Sequence, residues 1–178
     1  MIEEIIFKDH YPKGEFYDRL VSLEGSVIWE GPWQSNLIVN SLRRLLAALV
    51  KGDPQGQHVM YWAVGTGEAA WDSGTLPSEA ARRSLEQIYN ETARKAIPPN
   101  QITFLGGSFT NQLEIRLDFT TGDIPPGPGN QNWQLREFGL FAGGGATLNS
   151  GILINHRIHP RIDMQDGFTL QRTLRLTF

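Results

Sequence analysis

The sequence has no cysteine. That excludes disulfides and thiolate chemistry but fixes no compartment, because bacterial cytosolic and secreted proteins can both lack it. It has no long apolar run; the longest, residues 45–50, is far too short to span a bilayer. It has no excess of positive charge either. A formal net charge of −3 provides no cationic field for nucleic acid or anionic membrane. The start, Met1-Ile2-Glu3-Glu4, lacks the basic and apolar regions of a signal peptide, so a soluble protein made in the cytoplasm is expected. Also missing are a Gly-x-Ser-x-Gly elbow, a His-Glu-x-x-His helix and a phosphate loop with Gly-Lys-Ser/Thr. No enzyme, cofactor or metal site is expected.

What is present points to a β-rich domain. The 178 residues are 40% hydrophobic and 20% charged, enough for one globular domain with a real core. Nineteen glycines and ten prolines, spread among short apolar stretches, favour many strands and turns. Residues 1–33 mix apolar and charged positions. Val21, Leu23, Val27 and Trp29 alternate roughly with polar neighbours, which predicts an edge hairpin or an arm that docks on a neighbour. Residues 34–178 are expected to form a single domain.

The clearest helix is predicted at about 36–51, where Leu37, Ile38, Leu42, Leu45, Leu46, Leu49 and Val50 recur at three- and four-residue spacing. Ser35 or Asn36 would cap its start and Gly52 its end. Arg43-Arg44 reads as a solvated helix face or a contact to an acidic partner. A shorter helix is predicted at about 78–95, closed by Pro98-Pro99. Strands are expected at residues 58–64, 102–104 and 113–119, where Leu113, Ile115, Leu117 and Phe119 alternate with polar residues. A long Pro/Gly loop over residues 120–132 resists helix and strand alike. Residues 135–141, 151–155 and a last strand ending at Phe178 complete the pattern. In that strand Phe168, Leu170, Leu174, Leu176 and Phe178 share a face with one odd member, Arg172. The expected class is α+β, mainly antiparallel β in a sandwich-like sheet, with two helices.

Several residues could carry chemistry. Gly65-Thr66-Gly67 superficially matches a dinucleotide fingerprint, but loop residues follow where a helix N-terminus would be needed. His156 and His159 sit three apart in an extended segment, so they face opposite ways and are expected to be exposed or structural histidines, not metal ligands. Glu137 lies in an apolar run beside Arg136. It could be a general acid raised by burial, or a carboxylate held by a partner arginine in this chain or the next. The five tryptophans read as core or interface anchors, with carbohydrate stacking by Trp71 or Trp133 as the other option.

Taken in order, five segments resemble the N-terminal attachment domains of phage tail-collar fibre proteins. They are residues 37–50, Tyr61-Trp62-Ala63-Val64-Gly65-Thr66-Gly67, residues 85–95 with Glu91 and Arg94, Leu135-Arg136-Glu137-Phe138-Gly139-Leu140-Phe141, and Asn149-Ser150-Gly151-Ile152-Leu153-Ile154. The resemblance covers about residues 36–178 and makes Gly65, Gly67, Glu91, Arg94, Arg136, Glu137 and Gly139 the diagnostic positions. It implies a non-enzymatic structural protein of a phage tail or phage-tail-like contractile particle: a baseplate or collar subunit or a fibre-attachment adaptor. The same resemblance implies bacterial production, partners among tail, baseplate or fibre proteins, and a homo-oligomeric ring, without nucleic acid or membrane insertion. Those fibre proteins continue into a shaft and receptor-binding tip, whereas this sequence stops at Phe178, so attachment without receptor binding is expected. A carbohydrate- or ligand-binding β-domain of adhesin type is the alternative.

Overall fold

The last strand sets the frame. β10 (Thr169–Thr177) pairs antiparallel with β1 (Lys13–Val21) on one side and with β7 (Gln112–Thr120) on the other, nine residues in each case. Strict alternation on all three strands turns Phe16, Leu20, Ile115, Leu117, Phe119, Leu170, Leu174 and Leu176 to one buried face. The short β6 (Ile102–Phe104) closes that edge against β7, and β2 (Val27–Glu30) lies on β1. This computed structural model describes residues 11–54, 56–125 and 134–178.

A second group of strands follows the order β5 (Glu91–Ala96), β4 (Val59–Gly65), β8 (Gln134–Ala142) and β9 (Ile152–Asp163). β3 (Gln34–Ile38) joins the two groups. Its first half pairs with β1, and Leu37 and Ile38 pair with β9. One sheet thereby curls on itself. Phe138 of β8 meets Phe16 of β1 with ring centroids 5.3 Å apart, although β3 and β9 separate those strands in the sheet. The main core fills the space between, with fully buried Trp62 beside Phe138. On the outer face of β4, β8 and β9 lies a smaller cluster of Val39, Ala63, Ile88, Phe141 and Leu153. The fold is α+β and mainly antiparallel β, as its alternating patterns predict.

Four boundaries differ from the sequence-based expectation. α1 spans Ser41–Lys51, not 36–51, because Leu37 and Ile38 are taken by the β9 ladder. Its N-cap is Asn40, whose side chain makes no capping bond, while Gly52 ends it in the left-handed conformation as expected. α2 is only Glu79–Arg83, capped by Ser78 accepting from the Ala81 N–H; residues 91–96 are strand, paired with β4. Near the N-terminus the buried alternation is Phe16, Asp18 and Leu20 rather than Val21, Leu23, Val27 and Trp29. A turn closed by Ser22 N–H donating to Ser26 O leaves Leu23 exposed. Within the expected arm or edge hairpin of residues 1–33, β1 therefore lies inside the sheet, flanked by β10 on one edge and by β2 and β3 on the other. Residues 1–10 of that segment, and Trp133 with most of the Pro/Gly loop, lie outside the described residues.

Candidate functional site

Strand register gathers the diagnostic residues. Gly65 of β4 stands opposite Glu91 of β5 and Glu137 of β8, and Ala63 stands between Arg94 and Gly139. Close packing explains the glycines. A Cβ on Gly65 would collide with the Asn90 carbonyl and stand 2.8 Å from Glu137 Oε1. On Gly139 it would stand 2.6 Å from Leu153 Cδ1 and 2.9 Å from Ile88 Cγ2. Gly67 has φ +52 and lies flat against the Trp71 ring, so a side chain there would meet both backbone strain and the indole.

Three polar anchors tie this sheet to the segments that cover it. Glu137 is fully buried and accepts the backbone N–H groups of Tyr89 and Asn90 at 3.0 and 2.6 Å, with His156 Nε2 at 2.9 Å. Glu91 holds Arg94 through both carboxylate oxygens at 2.5 and 2.9 Å and accepts the Asn149 N–H. Arg94 in turn donates to Ser150 O and Gly145 O and lies 4.5 Å from the Phe141 ring centre, which pins the 143–151 turn. Arg136 forks onto Asp72 at 2.8 and 2.7 Å and donates to the Thr66 and Gln134 carbonyls. That fork holds the Asp72 carboxyl below its usual range and Arg136 above its own. Gly65, Glu91, Arg94, Arg136 and Glu137 thus form a clamp across β4, β5 and β8, with Gly67 packed on Trp71 and Gly139 packed apart from it against Leu153 and Ile88.

The clamp immobilises backbone. Glu137 spends its oxygens on two amides and an imidazole. Its partner is a histidine and two main-chain donors, not the arginine its sequence context suggests, because Arg136 turns to the other neighbour, Asp72. Neither Glu137 nor His156 has solvent access, so general acid work on a substrate finds no approach here. His156 packs near Tyr89 on the outer layer, while His159 stacks on Phe138 in the core. Burial, then the neighbouring Arg172 charge, pushes His159 down to about 3.

One element escaped the sequence. Arg172 is 1% exposed and forks onto Asp18 at 2.7 and 2.6 Å across the β1–β10 pair. The signal was available: Asp18 interrupts the apolar face of β1 as Arg172 interrupts that of β10. Trp71 is no open platform, since it is 8% exposed, covered by Gly67 and met edge-on by Tyr89. Among the described residues the exposed indoles are Trp29 and Trp33, the latter stacked on Tyr17 at 5.5 Å with Arg175 4.1 Å from its centre. Among the described residues no cluster of His, Cys, Asp or Glu suits a metal ion, and no helix is long and apolar enough to cross a membrane. Neither a family model, nor a curated protein, nor a solved structure matches the chain.

Proposed function

We propose that the chain is a non-enzymatic structural protein of a phage tail or phage-tail-like contractile particle, serving as a baseplate or collar subunit or a fibre-attachment adaptor. The observation that carries this is the surface of the β1–β2 hairpin. Leu23 and Ile28 are 81% and 52% exposed, and Val27, Trp29 and Trp33 stand exposed beside them. Large apolar side chains concentrated on one hairpin mark an association surface, and Trp with nearby Tyr and Arg is the composition of interface anchors. The clamp adds support: its charged groups are used to lock loops, which suits a part that must hold its shape in an assembly. In this role the partners are other tail, baseplate or fibre proteins, with further copies of the chain in a ring.

The carbohydrate-binding alternative draws on the same exposed Trp29 and Trp33. Light scattering on the purified chain, with co-purification from cells producing the particle, separates the two. A ring or a complex with tail components is expected; a monomer that binds glycans on an array would overturn the assembly role. Deleting residues 1–33 removes β1 and is expected to unfold the chain.

A further inference from the structure

The β1–β2 hairpin is not alone in exposing apolar side chains. Phe109, on the turn between β6 and β7, is 92% exposed, and Phe104 and Phe178 stand exposed as well. The Phe104 and Phe109 rings meet edge-on at 5.2 Å. Phe178 is tied to the same turn, its N–H donating to Asn111 O and its main-chain oxygen accepting from Asn111 Nδ2. Phenylalanine, unlike tyrosine or tryptophan, offers water no polar atom, so three exposed together mark a contact surface.

Strand register fixes where the two patches lie. β1, β10 and β7 run side by side for nine residues, with Lys13, Thr177 and Gln112 level at one end and Val21, Thr169 and Thr120 level at the other. The phenylalanines sit at the first end; Leu23 and Val27 lie at the second, with Ile28 and Trp29 beside them. About 27 Å of strand separates the two ends. The ends also differ in charge. Glu24 adjoins Leu23, and Asp166 adjoins Gly167, where a Cβ would stand 3.3 Å from Leu23 Cβ. Neither acid has a cation partner among the described residues. At the opposite end Lys13 lines one cavity of ≈ 310 Å³ with Leu105 of the phenylalanine turn, and another of ≈ 870 Å³ with Arg43. Among the described residues neither cation has an acid partner, and Arg43 lies 4.6 Å from the Tyr11 ring centre. Glu15 is the one acid lining those cavities.

We propose, on the assembly reading above, that these patches bind one another between copies of this chain: the hairpin end of one protomer seats on the phenylalanine end of the next. Pairing like ends would set Glu24 and Asp166 against their own copies, or Lys13 and Arg43 against theirs. Head-to-tail pairing sets acid against base, and leucine and tryptophan against phenylalanine. A pair joined this way still carries one free patch at each end, so the contact propagates, into a ring where the rotation closes.

Two variants of the full chain test this by analytical ultracentrifugation. Leu23→Asp spoils only the hairpin end, and Phe109→Asp only the phenylalanine end. The parent is expected to associate beyond a dimer, and each variant by itself to associate at least about tenfold more weakly. Mixed, the variants supply one intact patch each, and a one-to-one dimer is expected. A parent that stays monomeric, a variant that keeps the parent's size, or a mixture that forms no dimer overturns the head-to-tail contact. Should a variant fail to fold by circular dichroism, Leu23→Ser or Phe109→Ser at the same exposed position replaces it. The tail role is read separately, from the content of purified particles. Particles that contain the chain while the mixture stays monomeric remove the contact and leave the role; a dimer in the mixture with no chain in the particles does the reverse.

Discussion

Asp18→Asn removes one charge from the core and almost no volume, so its cost isolates the ion pair with Arg172. In the folded protein both side chains are at most 1% exposed, and the fork is closed by bonds of 2.7 and 2.6 Å. The substitution leaves a buried guanidinium with no counter-charge, and Arg172 Nη1 is already without a partner. Breaking such a pair costs about 3–5 kcal/mol. For a domain of this size that is a fall in thermal midpoint on the order of 10 °C. The pair itself is not thereby a net stabiliser. Desolvating both charges opposes their attraction, so Asp18→Leu with Arg172→Met is expected to be near neutral or more stable than the parent. The Met stem would keep much of the packing that Arg172 makes 4.0 Å from the Phe138 ring centre. Urea denaturation of the parent, both single variants and the double variant gives the cycle directly. A cost below about 1 kcal/mol for Asp18→Asn, or a double variant as damaged as the single, would refute the reasoning.

Stability should fall on mild acidification because of His159. Its folded value is about 3 against an ordinary 6.5, so the unfolded chain takes up the proton first. The stability this group contributes is whole above about pH 6.5 and drains by up to about 1.4 kcal/mol per unit as pH falls toward 3. Urea midpoints between pH 7 and 5 should show this slope, flattened in His159→Phe; an unchanged slope in the variant would count against it. Gly65→Ala should cost about 1–3 kcal/mol by overpacking, because its Cβ meets the Asn90 carbonyl, which the chain cannot move without opening the Glu137 bonds. Thermal melts check it, and a neutral variant would contradict the close packing. Glu137→Ala should speed hydrogen exchange at the Tyr89 and Asn90 amides well before global unfolding, and unchanged protection there would mean other groups hold that loop.

The sheet was legible wherever one strand face is apolar and the other wet. β7 and β10 read directly from Leu113 to Phe119 and from Leu170 to Leu176, because a period of two has no helical counterpart. Residues 36–40 and 91–95 misled for a local reason. Leu37 and Ile38 continue the helical spacing of α1, and the polar run Glu91-Thr92-Ala93-Arg94-Lys95 has good helix formers; pairing with β9 and β4 decides both. The clamp positions were named from motif resemblance, and the strand register that unites Gly65, Glu91 and Glu137 could not be read from spacing along the chain. The partner of Glu137 was missed because its donors come from Tyr89 and Asn90 of a covering loop, about fifty residues away in sequence. Asp18 and Arg172 were each visible as an oddity on an apolar face, but only the β1–β10 register joins them.

The central proposal is that this chain is built into a particle. Its most direct test is quantitative mass spectrometry of purified tail or tail-like particles from cells carrying the gene, with the chain tagged for localisation by electron microscopy. A fixed, symmetric copy number at the baseplate, collar or fibre junction is expected. Particles that form with a full complement of other components and contain none of this chain would contradict it.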